Sequence, residues 1–337
     1  MTDTAIKSEA ELIALLVPLT IGAGGAFGLK DDCASLTPRP GYDLVLKTDP
    51  VRAGVHFFPD DAPADIAWKA LAVNVSDIAA KGAEPIAYLM ALSFPEPPER
   101  EWMVRFASGL DTAQKSFGCQ LIGGDTDRAP GPLTISITVV GEVPAKQMVH
   151  RFNARAGDAI YVSGSLGDSG LGLQLHKEAK AGRRDLRERW RLTDHYVESL
   201  IDRYLRPRPR LDLADTIRQH ASAAMDISDG LVKDLGRMCK ASGLAAEIDS
   251  ALIEWSRPVA RVISIQPELF SKIVSAGDDY EILAAVPQWE LDAFRSKVRR
   301  TPTSMHRIGS FVEGSGVVVK RIDGTVISFD HTGWDHF

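Results

Sequence analysis

Strand-like and helix-like segments alternate along most of this chain, and that alternation restricts it to layered folds in which helices cover a sheet. LVLKTD (Leu44 to Asp49) reads as a strand. Asp65 to Lys81 reads as a helix, with Pro63 just ahead of it and Gly82 placed as its C-terminal stop. PIAYLMALSF predicts a strand, Arg100 to Phe117 a helix, CQLIGG a short buried strand, and PLTISITVVGEV a strand with two distinct faces. Between residues 144 and 157 the periodicity lapses, and AIYVSG then opens a new strand. The reading therefore predicts an α/β (α+β) protein of two domains, residues 1–148 and 149–337. In the second, helices are expected around 193–205, 211–220 and Asp229 to Ser242, with strands at ASAAMDIS and EILAAV. The charged stretch Lys177 to Arg191 reads as a solvated segment.

With 337 residues, 45% of them hydrophobic, the chain is long enough for two separate cores. A formal net charge of −6 argues against a partner such as duplex nucleic acid, which favours a basic face. The three cysteines, Cys33, Cys119 and Cys239, lack CxxC spacing and read as small buried hydrophobes in a reducing cytoplasm. The N-terminus reads as an amphipathic helix with a capping box from Ser8 to Glu11. No apolar run is long enough to span a bilayer, so the expectation is a soluble, cytoplasmic protein with no membrane partner.

The chemistry lies in aspartates set in short motifs: KDDCASL, KTDP, NVSD, GGDTD, MDISDG and AGDDYE. Gathered carboxylates repel each other unless cations sit among them. No His/Cys cluster accompanies them, which favours a hard, oxygen-preferring cation, Mg²⁺ above others. Asp77 stands in a helix that is apolar on nearly every side, with Asn74 on the same face, and a buried aspartate there needs a counter-charge. A salt bridge and a metal both answer that need. Asp226, Ser228 and Asp229 lie in a strand-to-helix turn, where oxygen ligands and free helix N–H groups suit Mg²⁺ and phosphate together; an N-cap is the plainer role for Asp229. Asp125 follows two glycines that let backbone approach a ligand. Thr48 offers a second oxygen beside Asp49, and of the adjacent Asp31 and Asp32 one is expected to be structural. The set suits phosphoryl transfer, a reaction that depends on positioning and charge neutralisation. The expectation is that acids from both halves share one cleft.

GAGGAFG (Gly22 to Gly28) misses the dinucleotide fingerprint because Phe27 stands where a third glycine is needed. It reads as a mobile loop with a structural or lid role. GSLGDSGLGL fails the same register, and no GK[ST] follows either patch.

The ordered set DDCASL, KTDPVRAGVHF, AWKALAVNVSDIAAKGAEP, LIGGDTDR, GDAIYVSGSLGDSGLGL, RPRPR, AMDISDGLVKDLG, GDDYEIL and GWDHF resembles the thiamine-monophosphate kinase family over almost the whole chain. The resemblance implies an aminoimidazole-ribonucleotide-synthetase-like fold whose N-terminal domain pairs with its twin in a homodimer. It implies phosphorylation of thiamine monophosphate by ATP, the last step of thiamine diphosphate synthesis. By that resemblance Asp32, Thr48, Asp49, Asp77, Asp125, Asp226 and Asp229 would hold several Mg²⁺ ions. Gly124, Asp125, Arg151 and Ser228 would contact ATP, and His56, Asp278 and Trp334 would contact thiamine monophosphate. A Trp face and a carboxylate suit the cationic thiazolium.

Three places depart from the family pattern. Lys30 replaces a glycine ahead of the Asp pair, Lys47 stands where some members offer a hydroxyl ligand, and AGDDYE carries Ala276 and the shorter acid Asp278. Two other readings stay open on the sequence: a non-catalytic paralogue that binds nucleotide or thiamine phosphate, and another ATP-dependent enzyme of the superfamily such as aminoimidazole ribonucleotide synthetase. The ending GWDHF does not suit the latter.

Overall fold

The computed structural model describes residues 5–335, so His336 and Phe337 of the terminal motif lie outside the described residues. The backbone clusters into two units. One holds the described residues up to Ile78 together with Ala83–Gln147; the other holds Ala79–Gly82 and the described residues from Met148 onward.

The first unit begins with helix α1 (Glu9–Leu16), whose Ser8 cap accepts the Glu11 N–H at 3.2 Å. Then come β1 (Tyr42–Arg52), α2 (Pro63–Ala80), β2 (Glu84–Phe94), α3 (Arg100–Phe117), β3 (Gln120–Arg128) and β4 (Thr134–Pro144). The strands form one sheet in the order β1-β4-β2-β3. β4 runs antiparallel to both β1 and β2, while the β2–α3–β3 crossover makes β2 and β3 parallel. α3 ends as its stop residue requires, with Gly118 in the left-handed region at φ 74°. Both β1 and β3 run further than their sequence suggests. β1 continues past Asp49 through Pro50 to Arg52, because it is an edge strand and needs no ladder donor on its open side. β3 continues past Gly124 to Arg128 on the opposite edge. Asp49 and Asp125 therefore stand within strands and not at their ends.

The Gly22–Gly28 segment is folded into single-turn helices over Gly24–Leu29, with Phe27 at φ 49°. Ala26 is buried against Ala87, Ile122 and Val140, so this stretch packs onto one face of the sheet. The rest of that face leaves Leu44, Leu46 and Leu89 exposed.

The second unit contains β5 (Ala159–Ser163), α4 (Asp168–Lys180), α5 (Asp185–Arg189), α6 (Asp194–Leu205), α7 (Ala214–His220), β6 (Ala223–Ile227), α8 (Leu231–Ser242) and β7 (Ala245–Asp249). It continues with α9 (Arg257–Ile265), α10 (Phe270–Val274), β8 (Glu281–Val286), α11 (Leu291–Val298), β9 (Met305–Val312) and β10 (Gly316–Lys320). The sheet order is β10-β7-β9-β5-β8-β6. Only the β10–β7 pair is parallel. Alternate residues of the central strands feed two cores: Ile160, Val162, Met225 and Leu283 pack with α8, while Tyr161, Ala224, Ile282 and Ala284 pack with α7 and α11. A sheet covered on both faces explains why β5, β6 and β8 read as continuous apolar runs.

The segment Lys177 to Arg191 is mostly exposed, as the sequence reading expects, but two of its residues are not. Trp190 is fully buried, and its ring N–H donates to Gln266 Oε1 at 2.7 Å. Glu178 is buried too and accepts the Leu186 N–H on both oxygens, at 3.0 and 2.9 Å. Many arginines in this stretch hide one anchoring ring from a composition-based reading.

Candidate active site

In the first unit, strand alternation puts Lys47 and Asp49 on the face of β1 that looks toward α2. Asn74 of α2 is fully buried, and its side-chain oxygen accepts the Asp49 N–H at 2.7 Å. Asp77 follows one turn later on the same helix face. The Lys47 ammonium stands between the two acids, 2.6 Å from Asp77 Oδ2 and 3.0 Å from Asp49 Oδ2. Burial alone pulls the Lys47 pKa down, but the Asp77 and Asp49 carboxylates outweigh it and the net shift is upward. Thr48 lies on the opposite face of β1, where its hydroxyl donates to Ile137 O at 3.2 Å and accepts from Thr138 at 3.0 Å.

Asp125 stands opposite Ala91 in the ladder and accepts the Thr126 N–H at 2.8 Å. Gly124 is required beside it, since a Cβ there would fall 1.9 Å from the Met90 carbonyl oxygen. Asp31 and Asp32 are exposed in a bend, and the Asp31 carboxylate faces the Cys33 N–H at 3.5 Å. Cys33 is exposed, against the sequence reading of all three cysteines as buried; Cys119 and Cys239 are buried as expected, and burial pushes their thiols up to about 12 and about 11. His56 sits in a tight turn in which its Nδ1 accepts the Arg52 N–H at 3.0 Å.

In the second unit, Asp226 is buried in β6, opposite Ile282. Two amides of the turn after β6 are already taken. The N–H groups of Ser228 and Asp229 donate to Asp234 Oδ2 at 3.0 and 2.8 Å. Asp234 is fully buried, and that burial raises its carboxyl to about 6 against the pull of the Asp229 N–H and Arg237. The Asp229 carboxylate meets Arg237 at 2.6 Å and Lys233 at 3.5 Å.

The carbonyls of the same turn organise the other motifs. Ile227 O accepts the Tyr280 N–H at 2.8 Å, Ser228 O the Asp278 N–H at 2.8 Å, and Asp229 O the Trp334 N–H at 2.9 Å. Asp278 and Tyr280 take left-handed backbone angles, φ 69° and 52°, which these bonds hold in place. Gly277 makes the approach possible, because a Cβ on it would lie 2.5 Å from Ser228 O. Lys233 fastens the tail by donating to the Trp334 carbonyl and lies 3.5 Å from Asp335. The Trp334 ring is left 54% exposed beside the Asp229 turn. Arg151 is exposed in a turn between His150 and Phe152, whose rings stack at 4.6 Å.

A buried layer supports this arrangement, and sequence reasoning did not find it. Glu281 is fully buried and accepts from Ser163 Oγ at 2.5 Å, from Arg203 at 2.7 Å, and from both Nε, at 2.7 Å, and NH2 of Arg210. The neighbouring Asp279 takes the Gly167 N–H on both oxygens, and burial raises its carboxyl well above the ordinary range. The motifs RPRPR and DDYE contain Arg210, Asp279 and Glu281, but nothing in their spacing shows that Arg210 meets Glu281. Among the described residues no three His, Cys, Asp or Glu side chains gather closely enough to hold a metal ion. Three of the acids meet the chain's own cations: Asp49 and Asp77 pair with Lys47, and Asp229 with Lys233 and Arg237.

Residues 30–143 match the AIR synthase related protein, N-terminal domain, and residues 155–322 match the C-terminal domain of the same family. Over 336 residues the chain is 38% identical to the thiamine-monophosphate kinase of Caulobacter vibrioides, covering 98% of this chain and 92% of that protein. The chain belongs to the thiamine-monophosphate kinase family. A thiamine-monophosphate kinase of Escherichia coli K12 is 38% identical over 312 residues, 92% of this chain and 91% of that one. The crystal structure of the thiamine-monophosphate kinase from Stenotrophomonas maltophilia superposes with a TM-score of 0.81 at 36% identity, covering 94% and 96% of the two chains. AaThiL complexed with AMPPCP and TMP superposes with a TM-score of 0.75 at 31% identity, covering 100% and 98%. The hydrogenase maturation protein HypE of E. coli, at 20% identity and TM-score 0.74, shares the fold alone.

Proposed function

We propose that this chain phosphorylates thiamine monophosphate with ATP, giving thiamine diphosphate and ADP. The observation that carries the reading is the 31% identity and full-length superposition on AaThiL complexed with AMPPCP and TMP. A phosphate oxygen of thiamine monophosphate attacks the γ-phosphorus of ATP in line, and the bond from that phosphorus to the β-bridging oxygen breaks. The nucleophile needs no general base, because a phosphate monoester has its second pKa near about 6 and is largely ionised at neutral pH. Bound Mg²⁺ would neutralise phosphate charge, and the hard oxygens of Asp32, Thr48, Asp125, Asp226 and Asp229 suit it in kind, while Asp49 and Asp77 of the same proposed phosphate-transfer site meet Lys47. At Asp229 the partnering cations are Lys233 and Arg237, and Arg237 is also held by the buried Asp234 at 2.7 Å. Gly124 and Asp125, with Arg151 and Ser228, are proposed to contact ATP. His56, Asp278 and Trp334 are proposed to contact thiamine monophosphate, with the indole face and the Asp278 carboxylate toward the thiazolium cation.

ADP release that depends on thiamine monophosphate tests the reading, and binding of both ligands without turnover would favour the non-catalytic alternative. Radiolabelled phosphate trapped on the protein would exclude direct transfer. We also propose a homodimer, supported by the exposed Leu44, Leu46 and Leu89 on the open face of the first sheet. Sedimentation as a monomer at working concentration would remove that proposal. A cytoplasmic setting is supported by three free thiols.

The tail provides a separate prediction. In Lys233→Met the ammonium that fastens the Trp334 carbonyl is lost while the side-chain stem remains. KM for thiamine monophosphate is expected to rise about tenfold, the equivalent of one charged hydrogen bond, with kcat little changed. A steady-state split in which kcat falls and KM holds would show that the tail does not position substrate.

A further inference from the structure

Two carboxylates on neighbouring elements form a cation site only if something fixes their spacing. Here β1 sets Lys47 and Asp49 two residues apart on one face, and the buried Asn74 ties the Asp49 backbone to α2 one turn before Asp77. The site so made is already filled from within the chain. Lys47 Nζ lies at charge-assisted hydrogen-bond distance from Asp77 Oδ2, 2.6 Å, and reaches Asp49 Oδ2 at 3.0 Å. Its side chain is only 29% exposed.

We propose that Lys47 is a built-in cation whose ammonium takes the place between Asp49 and Asp77 that a divalent ion would otherwise fill, so that this chain binds one divalent ion fewer. The proposal rests on the reading of Asp49 and Asp77 as part of a phosphate-transfer site. Mg²⁺ requires oxygens at about 2.0–2.1 Å in near-octahedral geometry. The Oδ2 atoms that would supply two of those positions accept from the ammonium instead. Bringing the ion in would force the ammonium away from both acids and hold two cations side by side. The substitution also changes local charge: two carboxylates with one ammonium leave −1, whereas two with a divalent ion leave zero. Lys47 thus keeps a fixed, single positive charge at this end of the site whatever the free Mg²⁺ concentration.

Counting bound Mn²⁺ by electron paramagnetic resonance, with a non-hydrolysable ATP analogue present, tests this directly. Lys47→Ser is expected to bind one more Mn²⁺ per chain than the unaltered protein, and Lys47→Arg the same number. Mn²⁺ should raise the melting temperature of Lys47→Ser more than that of the parent, because the ion relieves two facing carboxylates. Should Lys47→Ser fail to fold, Asp77→Asn decides the matter in the parent background. An unchanged Mn²⁺ count means that Asp77 holds the lysine; a count lower by one means that it holds a metal and overturns the proposal. Equal counts in folded Lys47→Ser and parent overturn it as well. ADP release by the same parent preparation reports separately on the kinase reading, since Mn²⁺ counting needs no thiamine monophosphate.

Discussion

Asp226→Asn is expected to lower kcat/KM by on the order of 10²–10³-fold while leaving the melting temperature near that of the parent. The substitution keeps the size and the hydrogen-bonding oxygen of the side chain but removes its charge. Asp226 is buried in β6, within a strand whose flanking residues Met225 and Ile227 already lock the backbone into the core. The expected loss follows from the proposed role of the Asp226 charge at the turn beyond the strand. Turnover by coupled ADP release and unfolding by calorimetry, run on one preparation, separate the two roles. A melting temperature that drops in step with activity would assign Asp226 to the core instead.

Glu281→Leu is expected to act the opposite way, costing about 3–5 kcal/mol of stability. Glu281 is fully buried, and its partners Arg203 and Arg210 are only 12% and 16% exposed on their side chains. Removing the acid leaves two guanidinium groups in a site that water barely enters, with the more distant Asp168, 3.9 Å from Arg203, as a weak substitute. Leucine fills the volume but accepts nothing from Ser163, Arg203 or Arg210. Urea unfolding should show a lower midpoint at unchanged slope. A loss below about 1 kcal/mol would mean that the arginines find solvent and that the cluster behaves as a surface pair.

Periodicity carried most of the fold into the sequence. The helix Arg100–Phe117 has the bounds that its apolar spacing and the following Gly118 predict, and β5, β6 and β8 stand where continuous apolar runs placed them. Edges were harder to read. Pro50 and the Gly123-Gly124 pair look like strand ends, yet β1 and β3 run through them because an edge strand tolerates a missing donor or a missing side chain. Trp190 was lost among arginines because a charged segment was judged by its average and not by its one large ring.

At the candidate site the motifs identified which acids to examine, but not what stands against them. Lys47 meeting Asp77, Arg210 meeting Glu281 and Asp234 reaching back to the Ser228 and Asp229 amides all join residues whose separation along the chain bears no fixed period. Such partners are set by how elements pack. The link from the Ser228–Asp229 carbonyls to Asp278 and Trp334 is equally invisible, since it runs through backbone atoms that every residue possesses.

The contrast among the thiols offers a practical handle. Cys119 and Cys239 are sealed in the interior with their ionisation suppressed, while Cys33 is exposed directly after Asp31 and Asp32. A maleimide fluorophore would therefore attach at a single address without any engineered substitution. Its emission would report the surroundings of that acidic bend in real time as nucleotide arrives and leaves.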